Sequence, residues 1–357
     1  MADGLGLPPG NPFGGQPEQA LFRRVGEEEK AAAETEGEST TFLRDGLRRL
    51  FRNPLAVASL VLVGLILLVI VVAPLVVPYE FDEIIRVDGR RDLGAKNLRP
   101  FAYSERETQY MEQTGQRLFP HIFGTDELCR DYFIRVVYGT RVSLMVGFFA
   151  SVIVLAIGLV VGSVAGYWGG KVDLVLMRLV DVIYSLPDLL LVILLSVVLS
   201  QVLVLPPGSV LERLGTNMVA LFVVFGLLYW VGMARLIRGQ VLAIKQSEYV
   251  LAARSIGAGP WRIIRTHILP NSLSVVIVAV ALQIPAAIFT ESYLSFVGLG
   301  VQAPMPSLGS LANAAREGIQ AYPHKLLFPA AMICLIVLSL NLLGDGLRDA
   351  FDPKLKR

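Results

Sequence analysis

Six long stretches of this 357-residue chain contain no Asp, Glu, Lys or Arg. They are residues 54–79, 142–170, 189–211, 214–234, 266–290 and 326–344. Because about 20 apolar residues in a helix cross the hydrocarbon core of a bilayer, each stretch is long enough to span it. None of them alternates with a period of two, which disfavours a membrane β-barrel. The chain is therefore predicted to be an all-α integral membrane protein with six transmembrane helices.

Composition agrees with this prediction. Hydrophobic residues make up 54% of the chain and charged residues only 17%, against roughly 25% charged residues in soluble domains. The net charge of +2 is too small to indicate nucleic-acid binding. Cys129 and Cys334 lie far apart, one of them inside a predicted span, so no disulfide framework is expected. The first apolar stretch follows a long polar tail and is too long for a signal peptide.

The apolar stretches divide the chain into tails, loops and spans. Residues 1–40 are rich in Gly and Pro and then acidic, which predicts a disordered cytoplasmic tail. In a helix, residues 41–53 would place their apolar side chains on one side and their arginines on the other. This pattern predicts an interfacial helix, with a solvated linker as the alternative. The other predicted segments are span 1 at 54–79, an extracytoplasmic loop at 80–138, a helical core at 139–351 and a tail at 352–357. Within the core, spans 2 to 6 are expected at about 142–169, 177–205, 215–236, 271–295 and 326–346, and a cytoplasmic loop at 237–270.

Basic residues indicate the orientation of the spans. Arginines precede span 1, Lys and Arg are frequent between residues 235 and 265, and four more follow the last span. The short loops on the opposite side of the membrane carry only one or two Lys or Arg residues each. The loop at 79–141 has ten Lys or Arg and eleven Asp or Glu, but long loops cross the membrane largely regardless of charge. Both termini and the loop at 237–270 are therefore predicted to be cytoplasmic.

The stretch "EYVLAARSIGAGPWRIIRTHILPN", residues 248–271, reads as two short amphipathic helices joined by a turn. The predicted apolar face of the first helix consists of Tyr249, Ala252, Ala253 and Ile256. Two of these residues are alanines, which allows another surface to approach closely. Gly257 is predicted to cap this helix, and Trp261, Ile264 and Ile268 to line the second, which ends at Pro270. The stretch either lies on lipid headgroups or docks into a groove of a cytoplasmic partner.

This stretch resembles the EAA loop of ABC-importer permeases in Ala252, Ala253, Gly257, Leu269 and Pro270. Four more segments resemble the second permease subunit of dipeptide and oligopeptide importers. They are "FGTDELCRDYFIRVVYGTRVSL", "GYWGGKVDLVLMRLVDVIYSLPDLLL", "ESYLSFVGLGVQAPMPSLG" and "FPAAMICLIVLSLNLLGDGLRDAFDPK". The resemblance extends over about residues 41–354.

The chain departs from the family pattern at four places. Leu251 stands where the motif has its glutamate, although Glu248 lies one turn earlier, and His267 replaces the usual isoleucine. Cys129 replaces a glycine common in the family, and the loop at 80–120 is long. The first two departures bear on the contact with the ATPase.

The resemblance implies the ABC type I importer permease fold in a bacterial or archaeal plasma membrane, and alternating access as the mechanism. It implies a second permease of similar fold, two ATP-binding subunits and an extracytoplasmic solute-binding protein. ATP and Mg²⁺ would be used by those partner subunits, and this chain would bind no cofactor directly. The residues implied to couple to the ATPase are Glu248, Tyr249, Ala252, Ala253, Ile256, Gly257, Leu269 and Pro270. Di- or oligopeptides are the implied substrates, while sister systems take nickel chelates, glutathione and other small solutes.

Two acids and a row of glycines stand out within or near the spans. Charge inside a bilayer is costly, so Asp188 and Glu291 are expected either to line the pathway or to make local structural contacts. Asp188 is expected roughly 15 Å beyond Arg178 along one helix. Gly158, Gly162 and Gly166 have the four-residue spacing of close helix packing, within the chain or at a subunit seam.

Sequence motifs for catalysis are missing. The three histidines, at 121, 267 and 324, lack metal-ligand spacing and are expected to be structural or solvated. Neither a G-x-S-x-G elbow nor a P-loop occurs. No catalytic residue, no metal and no ATP hydrolysis are therefore expected, and an intramembrane enzyme is a remote alternative. A stand-alone secondary transporter would need inverted repeats, and no second copy of either half is visible.

Overall fold

The computed structural model describes residues 42–351 except 207, 210, 212, 213 and 302–304. The predicted tails at 1–40 and 352–357, and part of the segment "ESYLSFVGLGVQAPMPSLG", lie outside the described residues. The chain divides into two compact units, Met1–Asp45 and Gly46–Arg357. In the first unit the described residues are 42–45, which are helical.

The described residues are mostly helical. The helices are α1 (Phe42–Leu50), α2 (Pro54–Val76), α3 (Glu105–Thr114), α4 (Tyr132–Trp168), α5 (Gly170–Tyr184), α6 (Asp188–Val202), α7 (Thr216–Leu228), α8 (Trp230–Lys245), α9 (Glu248–Ser255), α10 (Pro260–Ile263), α11 (Leu269–Val297), α12 (Leu308–Ala314) and α13 (His324–Phe351). A π-helical turn, Ile264–Ile268, joins α10 to α11. Five of the helical stretches are long and apolar enough to cross a membrane, and the bent pair α5–α6 would provide a sixth.

The start of α2 shows how the sequence sets a helix boundary. The Asn53 side chain accepts a hydrogen bond from the Leu55 amide at 3.1 Å, which satisfies one of the unpaired donors of the first turn. Pro54 occupies the first helical position, where its missing amide hydrogen costs nothing. Leu50 of α1 is buried in a small cluster with Ala350 and Phe351 of α13. The two ends of the second unit therefore pack together.

The helix α4 has 37 residues and is about 55 Å long at 1.5 Å per residue. Its first turn is fixed by Asp131, whose side chain accepts a hydrogen bond from the Ile134 amide at 3.0 Å. Because a bilayer core is about 30 Å thick, α4 is long enough to extend well beyond it.

The third predicted span, 177–205, is not one helix in the structure. α5 and α6 meet at an angle of 87°. Pro187 cannot donate to a helical carbonyl and disfavours helical backbone at Leu186, so α5 ends at Tyr184. The expected separation of Arg178 and Asp188 along one helix axis is therefore wrong.

The predicted loop at 237–270 is also more helical than expected. α8 continues to Lys245, and the helical path from Pro260 does not stop at Pro270 but runs on to Val297. The π-helical turn lies directly before Leu269 and Pro270. A wider turn at that point accommodates a proline ring that would otherwise clash with the preceding turn.

Residues 77–131, here called the loop domain, fold on their own short elements. β1 (Arg86–Val87) pairs antiparallel with β2 (Arg90–Arg91), and a 3₁₀ turn follows at Leu93–Ala95. α3 begins with a capping box in which Ser104 and Glu107 each bind the other's amide, at 3.0 and 2.8 Å. The long predicted loop is therefore a folded element that leads into α4.

The main apolar clusters lie between the long helices. One joins α4, α6, α7 and α11 around Val146, Leu221 and Phe225. A second joins the ends of α4 and α8 to α9, α10 and α11, and a third joins α2, α4, α11 and α13. α4 contributes to all three, so it is the central element of the helical core.

Candidate functional site

The helix α9 ends in a turn that the sequence encodes directly. Gly257 has φ +83°, a left-handed conformation that glycine adopts without steric cost. The Ala258 amide donates to the Ala253 carbonyl at 3.0 Å, and the Gly257 amide donates to the Arg254 carbonyl at 2.9 Å. This is the Schellman pattern of helix termination. Gly257 therefore caps α9 and turns the chain toward α10.

One side of α9 packs against the protein and the other is exposed. Val250 and Ala253 are buried, and Ala253 is only 7% exposed. Tyr249 is exposed, and Ile256 is 86% exposed. The predicted apolar face is therefore wrong at Ala253, which lies three residues after Val250 and so on the same inward side.

The exposed side of α9 continues onto α10. Trp261 is 70% exposed, whereas Ile264 and Ile268 are buried, so these three residues do not share one face as predicted. The exposed apolar residues on either side of the turn are here called the hairpin surface. Its members are Tyr249, Leu251, Ala252, Ile256 and Trp261. Glu248 is also exposed, and it lies in the first turn of α9, where a helix dipole favours negative charge.

The departures from the family motif fall at or beside this surface. Leu251 is exposed, so the position that carries a glutamate in the motif presents an apolar side chain here. The ring of His267 is half-buried and its centroid lies 6.2 Å from that of Tyr249. Leu269 is half-buried and Pro270 is exposed at the start of α11.

Tyr167, near the end of α4, connects α9 to the long helices. The Arg254 guanidinium lies 5.1 Å from the centroid of its ring and the Lys245 ammonium lies 5.5 Å away. Lys245 also donates a hydrogen bond to the Tyr167 carbonyl oxygen. Cation–π contacts of this kind contribute about 0.5–2 kcal/mol. Because Val250 packs in the same cluster as Ile237 and Val241 of α8, α9 is fixed to both α4 and α8.

Asp188 lies at the break between α5 and α6 and is exposed. Its carboxylate accepts a hydrogen bond from the Leu189 amide at 2.8 Å. The side chain lines a cavity of about 530 Å³ together with Tyr184, Tyr229 and Gly232. Tyr229 separates α7 from α8, so two helix breaks face this cavity. Discontinuous helices of this kind form substrate and ion sites in secondary transporters.

Glu291 has a different environment, since it is fully buried within α11. Its carboxylate accepts hydrogen bonds from Ser143 of α4 at 2.7 Å and from Ser295 at 2.7 Å. Ser143 in turn accepts from the Leu308 amide of α12 at 3.4 Å. Glu291 therefore joins three helices in this conformation, and its role in the pathway stays a prediction.

The glycine row of α4 lies against α8 of the same chain. A side-chain Cβ at Gly162 would lie 2.6 Å from the Ala234 carbonyl oxygen, and one at Gly158 would lie 2.6 Å from Met233. At Gly166 the nearest atom is the Cβ of Val241, at 2.7 Å. Because all three positions are closed to any side chain, the backbones of α4 and α8 approach closely here.

A buried charged cluster in the loop domain is not predicted from the sequence. His121 is completely buried, with Nδ1 2.8 Å from Asp131 Oδ2 and Nε2 2.9 Å from Glu107 Oε1. Burial alone lowers the pKa of His121, but the hydrogen bonds to Asp131 and Glu107 outweigh it and raise the pKa to about 9. The imidazole ring stacks on Tyr79 with centroids 4.8 Å apart. Since Asp131 also caps α4, the cluster fastens the loop domain to that helix.

Within the described residues no group of three or more His, Cys, Asp or Glu side chains is placed to hold a metal ion. His121 has two carboxylate partners, which use both of its ring nitrogens. Its environment is that of a structural residue.

Comparison with known proteins identifies the family. A family model described as binding-protein-dependent transport system inner membrane component matches residues 158–357, more than half of the chain. The chain belongs to this family. A second model, the N-terminal transmembrane domain of oligopeptide transport permease C, matches residues 41–100 of this permease. The expected membership of the dipeptide and oligopeptide group of ABC permeases is confirmed.

Curated relatives cover nearly all of this permease. A dipeptide transport system permease protein of Bacillus subtilis is 43% identical over 93% of this chain and 92% of its own length. An oligopeptide transport system permease protein of the same organism is 37% identical over 89% of this chain and 92% of its own length. A glutathione transport system permease protein of Pectobacterium atrosepticum is 36% identical over 88% of this chain and 91% of its own length. A chain of the solved MetNI methionine ABC transporter shares 19% identity over 62% of this chain and 97% of its own, with a TM-score of 0.46.

Proposed function

We propose that this permease is one of two membrane subunits in an ATP-driven importer that carries di- and oligopeptides into a bacterial or archaeal cell. The dipeptide and oligopeptide permeases among its relatives support this substrate class. The proposed assembly contains a second permease of similar fold, two ATP-binding subunits and an extracytoplasmic solute-binding protein. ATP and Mg²⁺ belong to the ATP-binding subunits, and this chain has no catalytic role.

The hairpin surface is the proposed contact with an ATP-binding subunit. Ile256 and Trp261 expose large apolar side chains on either side of the capped turn. Large exposed apolar residues at such a turn are typical of protein contact sites. This exposed surface on a firmly anchored helix is the single observation that carries the proposal. It lies on the cytoplasmic side if, as the distribution of basic residues predicts, both termini are cytoplasmic.

The anchoring of α9 suggests how force would pass to the spans. A partner that displaces the hairpin surface also displaces Tyr167 and the ends of α4 and α8, because α9 is fixed to both. The close glycine contact along α4 then keeps these two helices together. ATP-driven closure of the partner subunits would therefore move α4 and α8 as one body, and alternating access requires such a rigid movement.

Asp188 is the proposed pathway acid. It lines an open cavity between two helix breaks, and a carboxylate there would attract the ammonium group of a peptide. The alternative substrate class is another small solute, such as a nickel chelate or glutathione. The glutathione permease among the relatives supports the second of these.

Cross-linking tests the docking proposal. In a Cys334→Ala background, Ile256→Cys should cross-link to the ATP-binding subunit within the assembled transporter, and Ala253→Cys should not, because that side chain points inward. Uptake of labelled dipeptides by cells should require both ATP and the ATP-binding subunits. Cross-links of Ile256→Cys to lipid alone, with uptake continuing without an ATPase, would reject the proposal.

A further inference from the structure

An apolar cavity of about 490 Å³ lies beside the first half of α4. Met145 and Phe149 of α4 form one wall, Met218 and Phe222 of α7 form another, and Met305 closes it near the start of α12. Small-molecule sites in proteins have volumes of about 300–1,000 Å³ and mostly apolar linings. The cavity therefore has the size and character of a ligand site, and it is separate from the cavity at Asp188.

Arg141 is the charged residue in the lining of this cavity. Its side chain is exposed and has no hydrogen-bond or ion-pair partner in the part of the chain that the structure describes. A guanidinium keeps its charge at any physiological pH and has five donors arranged to bind a carboxylate. Because Arg141 is exposed, its guanidinium is accessible to the carboxylate of a ligand that enters the cavity.

Three methionines make the apolar wall adaptable. Met145, Met218 and Met305 are unbranched and polarisable, and such side chains fit apolar groups of different shape. Surfaces rich in methionine are used for partners that vary. The combination of one fixed cation and an adaptable apolar wall suits ligands that share a carboxylate but differ in an apolar side chain.

We propose that this cavity binds the carboxyl-terminal end of a transported peptide. The carboxylate pairs with Arg141, and the neighbouring apolar side chain enters between α4 and α7. This proposal rests on the peptide-importer function proposed above. A phospholipid also offers an anion and an apolar chain. The peptide is favoured because α7 also borders a second cavity, and that cavity carries the opposite charge, at Asp188.

The distance between the two cavities gives the proposal a length scale. α7 lines the first cavity with Met218, and the chain reaches the second at Tyr229, eleven residues later. At 1.5 Å per residue this corresponds to roughly 16 Å. An extended peptide covers about 3.3–3.6 Å per residue. A dipeptide therefore occupies the two cavities in turn, whereas a peptide of about five residues reaches both at once.

Thiol labelling of the complete transporter without its binding protein tests the site directly. Met145→Cys in a Cys334→Ala background is treated in lipid nanodiscs with a water-soluble, cationic thiol reagent. Leucyl-leucine should slow the labelling at least 3-fold, while leucyl-leucinamide and glycyl-glycine at the same concentration should have little effect. Adding Arg141→Gln should abolish this protection, Arg141→Lys should keep part of it, and Arg117→Gln, an exposed arginine of the loop domain, should leave it unchanged.

Each other result overturns the inference. Equal protection by the amide means that the carboxylate is not recognised. Absence of labelling in nanodiscs, with labelling in detergent, means that lipid fills the cavity, and absence of labelling in both means that the second permease covers it. Uptake separates these failures from failure of the proposed function. If the wild-type transporter imports leucyl-leucine and Arg141→Gln imports it equally well, only the inference is wrong, whereas failure of the wild type to import any peptide rejects the function itself.

Discussion

The buried His121 cluster predicts that the loop domain loses stability as the pH rises from neutral to alkaline. In the folded protein Asp131 and Glu107 hold the pKa of His121 at about 9, above its ordinary value of 6.5. A group whose pKa is raised by folding stabilises the folded state fully below its unfolded pKa, and this stabilisation disappears as the pH passes through the folded pKa. The contribution is therefore complete below about pH 6.5 and lost above about pH 9.

The size of the effect follows from the two pKa values. The pKa of His121 is about 9 in the folded protein and 6.5 in the unfolded chain. This difference corresponds to roughly 3 kcal/mol in the free energy of unfolding, or to a roughly 300-fold change in an opening equilibrium. Replacing the histidine should cost a similar or larger amount at pH 6, because two buried carboxylates then lose their cation. Removing one partner of a buried ion pair typically costs 3–5 kcal/mol.

Hydrogen exchange of the loop-domain amides, corrected for the intrinsic pH dependence of exchange, measures this effect. Between pH 6 and pH 10 the protection factors of amides in α3 and the first turn of α4 should fall by roughly 300-fold in the wild type. His121→Gln should show low protection already at pH 6 and no further loss. His267→Gln serves as the control, because His267 has no carboxylate partner in the described part of the chain, and it should behave as the wild type. An unchanged pH dependence in His121→Gln would refute the reasoning.

Three further substitutions test the link between α9 and the spans. Gly162→Ala should destabilise the permease by about 1–3 kcal/mol, because the added Cβ would clash with the backbone of α8. Gly64→Ala should have no such effect, because a Cβ there meets no atom within 4 Å. Thermal unfolding in detergent measures the stability of both variants. Gly257→Ala should weaken ATP-dependent uptake by straining a residue with φ +83°, at a cost of about 1 kcal/mol, while Gly259→Ala, in ordinary extended backbone, should retain full uptake. Tyr167→Leu should lower peptide uptake per ATP hydrolysed in the reconstituted transporter, and an unchanged ratio would contradict the coupling proposed through this ring.

The helical spans can be predicted from the sequence because a charge-free stretch in a membrane has few alternatives to a helix. Backbone groups cannot remain unpaired in lipid, so length and composition locate the segments. The bend at Pro187 is not placed by this reasoning, because the predicted span at 177–205 extends the charge-free stretch at 189–211 backwards across the proline. Uniformly apolar sequence predicts that a helix exists but not where it bends.

The polar sites differ in how far the sequence reveals them. Gly257 is predictable because its cap depends on residues within one turn. Ala253 is not, because a short helix with alanines on two sides leaves the buried side undetermined until Val250 is seen to pack inward. The cluster of His121 with Glu107 and Asp131 combines residues 14 and 10 positions apart through irregular backbone. Contacts of this kind depend on the folded path of the loop, and no local spacing predicts them.

The single uninterrupted axis of α4 has a geometric consequence for the transport cycle. The helix starts at the His121 cluster and continues past Tyr167, beside α9, without an internal proline. Over a length of about 55 Å, a tilt of about 10° around the midpoint moves the two ends by roughly 5 Å in opposite directions. Opening at one side of the membrane and closing at the other would then be two aspects of the same rotation, so that neither could proceed alone.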